Sequence, residues 1–368
     1  MLNKSISNSN FIFGFFLLFS ALKVIVLTIA FSDFSLFTSD GDAAKYHLAA
    51  EGHIEMSSSI WGALLHQLYL LNFYNRDYIS IFLMFLQSFI IPFLLIIASV
   101  NFRTIKKKSA ILFAFLFSLY PTQILFSMDI YRDIFMLFIF MCVLILMRLS
   151  VNSLAKQIFI VLIFSIILFS FRKYLGFGLA AGWILGFIIY YSLIRRNYKI
   201  MFLILMILLF ILFEKSPIIH LLSEYRSGFD IGASTMFFMH SILENSPLLG
   251  IFLSFFLQIG GLYIASFVYA LFFIFETVPF LLSAYYIFKN KEYWDRYIAF
   301  LLGFFIAYSV VWIFASINMG TGVRLRIFSY TVIFIAAIRI HYLKKEKLTT
   351  AFLCKLQKNS YDNCNHRG

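Results

Sequence analysis

The chain has 368 residues, of which 62% are hydrophobic, 20% are aromatic and 13% are charged. Because soluble domains carry roughly 25% charged residues, this composition excludes a chain folded entirely in water. Long apolar runs recur from end to end, and each approaches the roughly 20 residues that a helix needs to cross a bilayer. The sequence therefore predicts an all-α fold, a polytopic bundle of transmembrane helices.

The first predicted span covers residues 11–31, and a polar leader that contains Lys4 precedes it. A cleaved signal peptide is the alternative, but the run is long for a signal core and lacks a clear small-x-small cleavage pair. We therefore expect an uncleaved span with a cytoplasmic N-terminus. A long polar stretch at 33–78 is the first outer loop, and the second span follows at 79–100.

Basic clusters set the orientation of the spans that follow, because cytoplasmic loops carry an excess of Lys and Arg. Arg103 and the lysines after it mark the inner side behind the second span, and Arg195 and Arg196 mark it again farther along. The spans of this part of the chain are predicted at 110–127, 134–147, 157–171, 174–194 and 200–213, and a second outer loop is predicted at 214–247.

The apolar stretch after the second outer loop allows two interpretations, because Gly260 and Gly261 interrupt it and it contains Glu276. It forms either two spans, or a re-entrant segment at 248–261 followed by one span at 262–288. One span keeps the basic residues of the later inner segments on the cytoplasmic side. The positive-inside tendency therefore favours the re-entrant interpretation.

The last spans are predicted at 297–317 and 327–342, which gives about ten spans with both termini in the cytoplasm. Residues 1–342 are then one transmembrane domain, and 343–368 are a basic cytoplasmic tail. On this topology the basic residues concentrate on the cytoplasmic side, so orientation explains the net charge of +13. Nucleic acid is not needed as a partner, and the 3 cysteines imply no disulfide framework.

The first outer loop contains candidates for catalysis. Asp40 and Asp42 are carboxylates two residues apart, and Tyr46 and His47 follow about one helical turn after them. A carboxylate within hydrogen-bond reach of a substrate hydroxyl can act as a general base, and paired carboxylates can also bind a divalent cation. The alternative is structural, with Asp40 or Asp42 as the N-cap residue of a helix.

A second candidate set consists of basic residues at or beyond the outer ends of spans: Arg132, Arg172, Lys173, Arg226, Arg324 and Arg326. An arginine fork pairs bidentately with phosphate, so these cations indicate an anionic substrate. Gly320 and Gly322 precede Arg324 in a predicted flexible link that would let backbone approach a ligand. Alternatively the arginines pair with nearby acids, as Arg132 could with the adjacent Asp133.

Two further patterns concern helix packing. Gly178, Gly182 and Gly186 recur at four-residue spacing, which predicts a helix face packed closely against another helix, with ligand contact as the alternative. Trp61 and the leucines that follow it at helical spacing predict an amphipathic helix lying in the outer membrane interface.

Several of these motifs together resemble the polytopic membrane glycosyltransferases of the GT-C superfamily. The motifs are Asp-x-Asp with Tyr46-His47 and the interfacial helix, Leu119-Tyr120-Pro121 with Arg132-Asp133, and Gly320-Thr321-Gly322-Val323-Arg324-Leu325-Arg326 before the last span. The Phe/Ile/Lys/Asn-rich character of the chain also resembles O-antigen polymerases. The resemblance implies a bacterial inner-membrane enzyme that transfers a sugar on the outer face, from a polyprenyl-phosphate or polyprenyl-pyrophosphate carrier to a glycan or lipid-linked acceptor.

The resemblance also implies roles for individual residues. Asp40 or Asp42 would take the proton of the acceptor hydroxyl, whose oxygen would attack the anomeric carbon with inversion. Arg324 and Arg326, with Arg132 or Arg172 as further candidates, would stabilise the departing phosphate. This role also follows from the charge that develops in the transition state. Single-sugar transfer and polymerisation both fit, and membrane lipids are further partners. The other predicted substrate-binding residues are Tyr46, His47, Arg132, Asp133, Arg172, Lys173 and Arg226.

Two other functions are compatible with the sequence. A transporter or flippase for a lipid-linked oligosaccharide should show an internal repeat and several ionisable groups near mid-membrane. No repeat is visible, and Lys23 and Glu276 are the clearly intramembrane charges. A non-catalytic membrane assembly subunit would not need the combination of acids and arginines. The sequence therefore favours sugar transfer or repeat-unit polymerisation in surface-polysaccharide synthesis.

Overall fold

The computed structural model describes residues 2–33, 41–54, 60–100, 108–194, 253, 255–262, 264, 267–315 and 319–365. Every regular element within these residues is a helix, which confirms the predicted all-α architecture for this part of the chain. Among the described residues, five helices are long and apolar enough to cross a membrane: Arg76–Ser99, Leu154–Phe171, Lys173–Ser192, Tyr269–Lys289 and Arg296–Ile313. The count of about ten spans stays a prediction. The predicted span at 200–213 and the outer loop at 214–247 lie outside the described residues.

The helices fall into two groups along the chain. Those of residues 2–194 are α1 (Leu2–Asp33), α2 (Asp42–Ala50), α3 (Ile60–Leu70), α4 (Arg76–Phe85), α5 (Ile91–Ser99), α6 (Lys108–Ser118), α7 (Pro121–Leu125), α8 (Arg132–Leu149), α9 (Leu154–Phe171) and α10 (Lys173–Ile194). Those of residues 267–365 are α11 (Phe267–Phe272), α12 (Val278–Lys289), α13 (Arg296–Ala315) and α14 (Met319–Asn365). Short π-helical turns, Leu86–Ile90 and Phe273–Thr277, join α4 to α5 and α11 to α12.

The predicted span at 110–127 is interrupted, so the expectation of one continuous helix is wrong. α6 ends at Ser118, and α7 begins at Pro121. A proline ring disfavours helical backbone at the preceding residue, and Tyr120 accordingly has φ −60° and ψ 111°. The polypeptide therefore exposes a helix carbonyl end and a new helix amino end inside the bundle.

Lys23 satisfies the carbonyl group at which α6 stops. Its ammonium donates to Ser118 O at 2.7 Å and to Gln87 Oε1 at 2.8 Å, and Gln87 Nε2 also donates to Ser118 O at 2.8 Å. A cation near a helix C-terminus interacts favourably with the helix dipole. The interruption of α6 thus gives this lysine a structural role.

Glycines hold α10 closely against α13, as their spacing predicts. A Cβ atom at Gly182 would lie 2.4 Å from Phe304 Cα, and one at Gly186 would lie 2.5 Å from Phe300 Cα. Gly303 of α13 approaches α10 in turn, because a Cβ atom there would lie 2.3 Å from Gly186 N. Small residues let helix backbones approach each other in lipid, where no hydrophobic effect drives association. The close-packing prediction is confirmed.

The amphipathic stretch that begins with Trp61 is also helical, and it forms α3. Trp61 and Leu65 are buried against the bundle. Trp61 Nε1 donates to Ile130 O, in the segment before α8, at 2.9 Å. The apolar face of α3 therefore packs on protein. Its predicted place in the membrane interface stays a prediction.

The two ends of the bundle differ in their charged groups. Asp42, Asp129 and Asp133 lie at one end, which we call the carboxylate end. The other end, which we call the basic end, contains Arg148 and Arg296; Arg296 Nη1 donates there to the carbonyl of Val151 at 3.2 Å. The same two groups were assigned to opposite sides of the membrane from the sequence. Which end faces the cytoplasm stays a prediction.

α14 corrects the expectation of a flexible link near the end of the chain. Gly320 and Gly322, predicted as a flexible link, lie in the first turns of this helix. A Cβ atom at Gly322 would lie 2.9 Å from Gln258 Oε1, so the glycine allows close packing and provides no hinge. α14 then continues to Asn365, so most of the predicted basic tail is helical.

Candidate functional site

Asp42 is an acid in the first turn of α2, and its side chain is 45% exposed. Gly41 is the N-cap residue of α2, so the alternative that made Asp42 the cap is wrong. A Cβ atom at Gly41 would lie 3.3 Å from the Tyr131 hydroxyl, and the glycine lets α2 approach the segment before α8. Asp42 Oδ2 accepts a hydrogen bond from Arg324 Nη1. Asp40 lies outside the described residues.

Arg324 bridges two carboxylates that are distant in the sequence. Its Nε and Nη2 atoms donate to Asp133 Oδ2 at 3.1 and 2.7 Å, and its Nη1 atom donates to Asp42. Arg172 Nη1 donates to the other oxygen, Asp133 Oδ1, at 3.0 Å. Asp133 is fully buried, and a buried charge requires such pairing. We call Asp42, Arg324, Asp133 and Arg172 the ion-pair chain.

Helix ends position every member of the ion-pair chain. Asp42 and Asp133 lie in the first turns of α2 and α8, where the helix dipole stabilises negative charge. Arg172 lies at the break between α9 and α10, with extended backbone at φ −158° and ψ 110°. Arg324 lies near the start of α14. Four separate helix ends therefore meet at one place.

Arg132 adds a third guanidinium beside the ion-pair chain. Its Nη1 atom donates to Phe171 O, at the end of α9, at 3.1 Å. Its guanidinium carbon lies 6.0 Å from the ring centroid of the buried Tyr46. Its Nε atom is buried and has no hydrogen-bond partner among the described residues. Since buried polar atoms are nearly always hydrogen-bonded, an unpaired donor at this position is unusual.

Aromatic rings enclose the guanidinium of Arg324. Its central carbon lies 4.9 Å from the ring centroid of Phe126 and 5.3 Å from that of Tyr131. Both distances fall within the roughly 6 Å range of cation–π attraction. Because the Arg324 side chain is only 11% exposed, Asp42 is the member of this ion pair that water reaches.

The electrostatics of the site keep Asp42 ionised. Burial acts to raise the pKa of this carboxyl, but the charge and hydrogen bond of Arg324, with help from Arg132, bring the pKa below its ordinary value of 3.8. Burial raises the pKa of Tyr46, so this phenol stays neutral at physiological pH. Among the described residues, three guanidiniums against two carboxylates give the site excess positive charge, which suits an anionic ligand.

Arg326 has a different acidic partner from Arg324, and its predicted role in binding the same phosphate stays a prediction. Residues two apart on a helix do not face the same side, and both arginines lie in α14. Arg326 Nη2 donates to Glu276 Oε2 at 3.0 Å, and both side chains are buried. Glu276 Oε1 accepts from Thr122 N, at the start of α7, at 2.6 Å. This second ion pair supports the amino end of the interrupted helix.

The remaining predicted residues have other positions. His47 Nδ1 lies 2.9 Å from the Tyr74 hydroxyl, and His47 Nε2 lies 3.6 Å from Glu51 Oε1. Lys173 is exposed at the start of α10. Arg226 lies outside the described residues. The described contacts of His47 therefore do not join it to the ion-pair chain.

Sequence analysis missed Arg76, which forms a bidentate pair with Asp129. Arg76 Nε donates to Asp129 Oδ1 at 3.0 Å, and Arg76 Nη2 donates to Asp129 Oδ2 at 2.6 Å. The pair ties the start of α4 to the segment before α8, and Tyr131 against Arg324 follows two residues later. Its partners are far apart in the chain, so local sequence contained no signal for it.

The described part of the chain contains no group of three or more His, Cys, Asp or Glu side chains placed to hold a metal ion. Of the Asp-x-Asp pair, Asp42 is described, and one of its oxygens pairs with Arg324. Binding of a divalent cation stays a prediction.

Comparison of the chain with protein-family models, with curated proteins and with solved structures finds no match. Membership of the GT-C superfamily stays a prediction.

Proposed function

We propose that this protein is a membrane glycosyltransferase or repeat-unit polymerase of surface-polysaccharide synthesis. It takes the sugar from a polyprenyl-phosphate or polyprenyl-pyrophosphate carrier at the carboxylate end, on the outer face of the membrane. The observation that supports the proposal is the contact between Asp42, a half-exposed carboxylate, and Arg324, a guanidinium enclosed by protein. A base and a phosphate-binding cation are thus adjacent.

Asp42 is the general base of the proposed reaction. A base must come within about 2.6–3.2 Å of the group that it deprotonates, and the exposed carboxylate of Asp42 is accessible to an acceptor hydroxyl. Asp133 has the same chemistry but is fully buried and accepts hydrogen bonds from two arginines. Asp133 therefore positions the arginines and has no contact with the acceptor.

The donor phosphate competes with Asp42 for Arg324. Charge-assisted pairing with phosphate is strong, and Nη1 is the Arg324 atom that can be exchanged while Nε and Nη2 stay on Asp133. When Nη1 leaves Asp42, the pKa of this carboxyl rises toward its ordinary value. Binding of the donor thereby makes Asp42 a stronger base. Arg132, whose charge acts on Asp42, provides a second guanidinium to attract the phosphate.

The transfer itself is a displacement at the anomeric carbon. The acceptor hydroxyl gives its proton to Asp42 while its oxygen forms the new bond to the anomeric carbon. The bond from that carbon to the phosphate oxygen breaks, and its electron pair leaves with the phosphate. Arg324 and Arg132 stabilise the negative charge that develops on the leaving group.

The test uses membrane vesicles that contain wild-type or variant protein. Radiolabelled polyprenyl-linked sugars, extracted from the membranes of cells that produce the protein, are added as donors, and transfer of the labelled sugar is measured. Asp42→Asn should lower the rate by about 10²–10⁴-fold, the usual contribution of a positioned base. Asp77→Asn is the matched control, since Asp77 is an exposed acid in the first turn of α4 and should leave the rate unchanged. Full transfer by folded Asp42→Asn protein would show that the base is misassigned.

Transport of a lipid-linked oligosaccharide is the second candidate, and the interruption between α6 and α7 favours it. Transporters commonly bind substrates at discontinuous helices near the bilayer midplane. Lys23 and Glu276 contact the two backbone groups that this interruption exposes, the carbonyl of Ser118 and the amide of Thr122. A transporter moves the labelled lipid between leaflets without cleaving it. Leaflet exchange with an intact sugar–phosphate bond would therefore support transport and contradict sugar transfer.

A further inference from the structure

An apolar cavity of about 510 Å³ lies on the side of the bundle between α6, α12 and α14. This volume falls within the roughly 300–1,000 Å³ of typical ligand sites. Its lining includes Leu116, Phe117, Phe275, Leu282, Phe334 and Ile338, and includes no member of the ion-pair chain. The cavity is therefore a candidate site separate from the one described above.

The cavity is shorter than the hydrocarbon of one membrane leaflet. Its lining on α14 extends from Phe334 to His341, about two helical turns or roughly 10 Å. At the inner end, the rings of Phe117 and Tyr120 contact Phe334 edge-on, with centroids 6.0 and 6.3 Å apart. One leaflet of a bilayer provides roughly 15 Å of hydrocarbon. A chain that enters near His341 therefore ends against aromatic rings before it reaches the other leaflet.

Basic residues follow the end of the cavity that His341 lines. Residues three and four apart on a helix share a face, so Lys344 and Lys345 continue the face of α14 that His341 occupies. Lys345 is exposed, and Lys344 Nζ donates to Asn290 Oδ1, just after α12, at 3.0 Å. The same helix face thus changes from apolar to basic just beyond His341. An occupant with an apolar chain and an anionic end matches both parts.

We propose that this cavity binds one acyl chain of an anionic phospholipid, with the headgroup phosphate at Lys344 and Lys345. Anionic lipids attract basic residues at a membrane surface, and the apolar lining removes the chain from the bulk lipid. The site belongs to the leaflet at the basic end, whereas the proposed sugar donor binds at the carboxylate end. The inference is independent of the proposed function.

Native mass spectrometry of the purified full-length protein tests whether the site prefers an anionic headgroup. The protein is delipidated and then mixed with equal amounts of phosphatidylglycerol and phosphatidylcholine that have the same acyl chains. Wild type should retain one phosphatidylglycerol in preference to phosphatidylcholine. Lys345→Glu should lower this preference by at least about fivefold, the contribution of one basic residue near anionic lipid. Equal retention of the two lipids by wild type would overturn the proposal.

Filling the cavity with a larger side chain tests whether it binds the acyl chain. Ala337 lines the cavity, so Ala337→Trp should abolish retention of both lipids. Leu281→Trp is the matched control, because Leu281 lies on α12, is 46% exposed and is not part of the lining. If Ala337→Trp protein is not monodisperse, the smaller change Ala337→Leu is measured against the same control. Retention that is equal in the Ala337 and Leu281 variants would overturn the proposal.

Discussion

Asp133→Asn is the change that most directly tests the ion-pair chain. Asp133 is fully buried and accepts three hydrogen bonds, two from Arg324 and one from Arg172. Asparagine keeps the size of the side chain and one carbonyl oxygen but removes the negative charge. Two guanidiniums, 3% and 11% exposed, would then lie side by side without the carboxylate between them.

The expected loss is large because the remaining charges stay buried. Removal of one partner from a buried ion pair typically costs about 3–5 kcal/mol of unfolding free energy. Asp42→Asn removes the other carboxylate on Arg324, but its side chain is 45% exposed. Pairs that contact solvent contribute about 0–1 kcal/mol, so this variant should unfold at nearly the wild-type denaturant concentration.

Equilibrium unfolding of purified wild type and both variants in one detergent, followed by ellipticity, measures the difference. Arg172→Gln and the double variant Asp133→Asn/Arg172→Gln complete a double-mutant cycle. Because Arg172 and Asp133 contact each other, the double variant should lose less unfolding free energy than the sum of the two single variants. Equal destabilisation by Asp133→Asn and Asp42→Asn would refute the assignment of Asp133 as the buried centre. Additive losses in the cycle would refute the direct coupling.

Three further predictions concern packing, the second ion pair and pH. Gly182→Ala should destabilise by about 1–3 kcal/mol in the same unfolding assay, since its Cβ atom would lie 2.4 Å from Phe304 Cα, whereas Gly14→Ala, with nothing within 4 Å, should not destabilise. Glu276→Gln leaves Arg326 buried without its carboxylate and should cost about 3–5 kcal/mol; wild-type stability would contradict the role of this pair. The pKa of Asp42 is lower in the folded protein, so its contribution is present above the ordinary value of 3.8 and is lost as pH falls through the folded-state pKa. The stability difference between wild type and Asp42→Asn should therefore be constant near neutral pH and shrink in acid, and a difference that grows in acid would contradict the sign of the shift.

Patterns within a few residues predicted the all-α architecture of the described residues and one close helix–helix contact. Hydrophobic runs identified helices, and the spacing of Gly178, Gly182 and Gly186 predicted a close helix–helix contact, because each signal repeats within one element. Pro121 is a signal for the break at Tyr120, but the apolar run on both sides of it favoured a continuous span. The flexible link was predicted wrongly because glycine serves both as a hinge and as a site of close packing, and only its neighbours distinguish these roles.

The composition and the positions of charged residues along the sequence were enough to predict a helical protein with helices apolar enough for a membrane. They also predicted acids and arginines at the ends of helices. The sequence did not indicate which of those acids and arginines pair with each other. Asp133 could have paired with Arg132 beside it, yet its partners are Arg172 and Arg324, one of them 191 residues away. Residues two apart on a helix face different directions, so Arg324 and Arg326 have different partners although they are close in the sequence. Arg324 contacts Asp42 because the ends of two distant helices pack together.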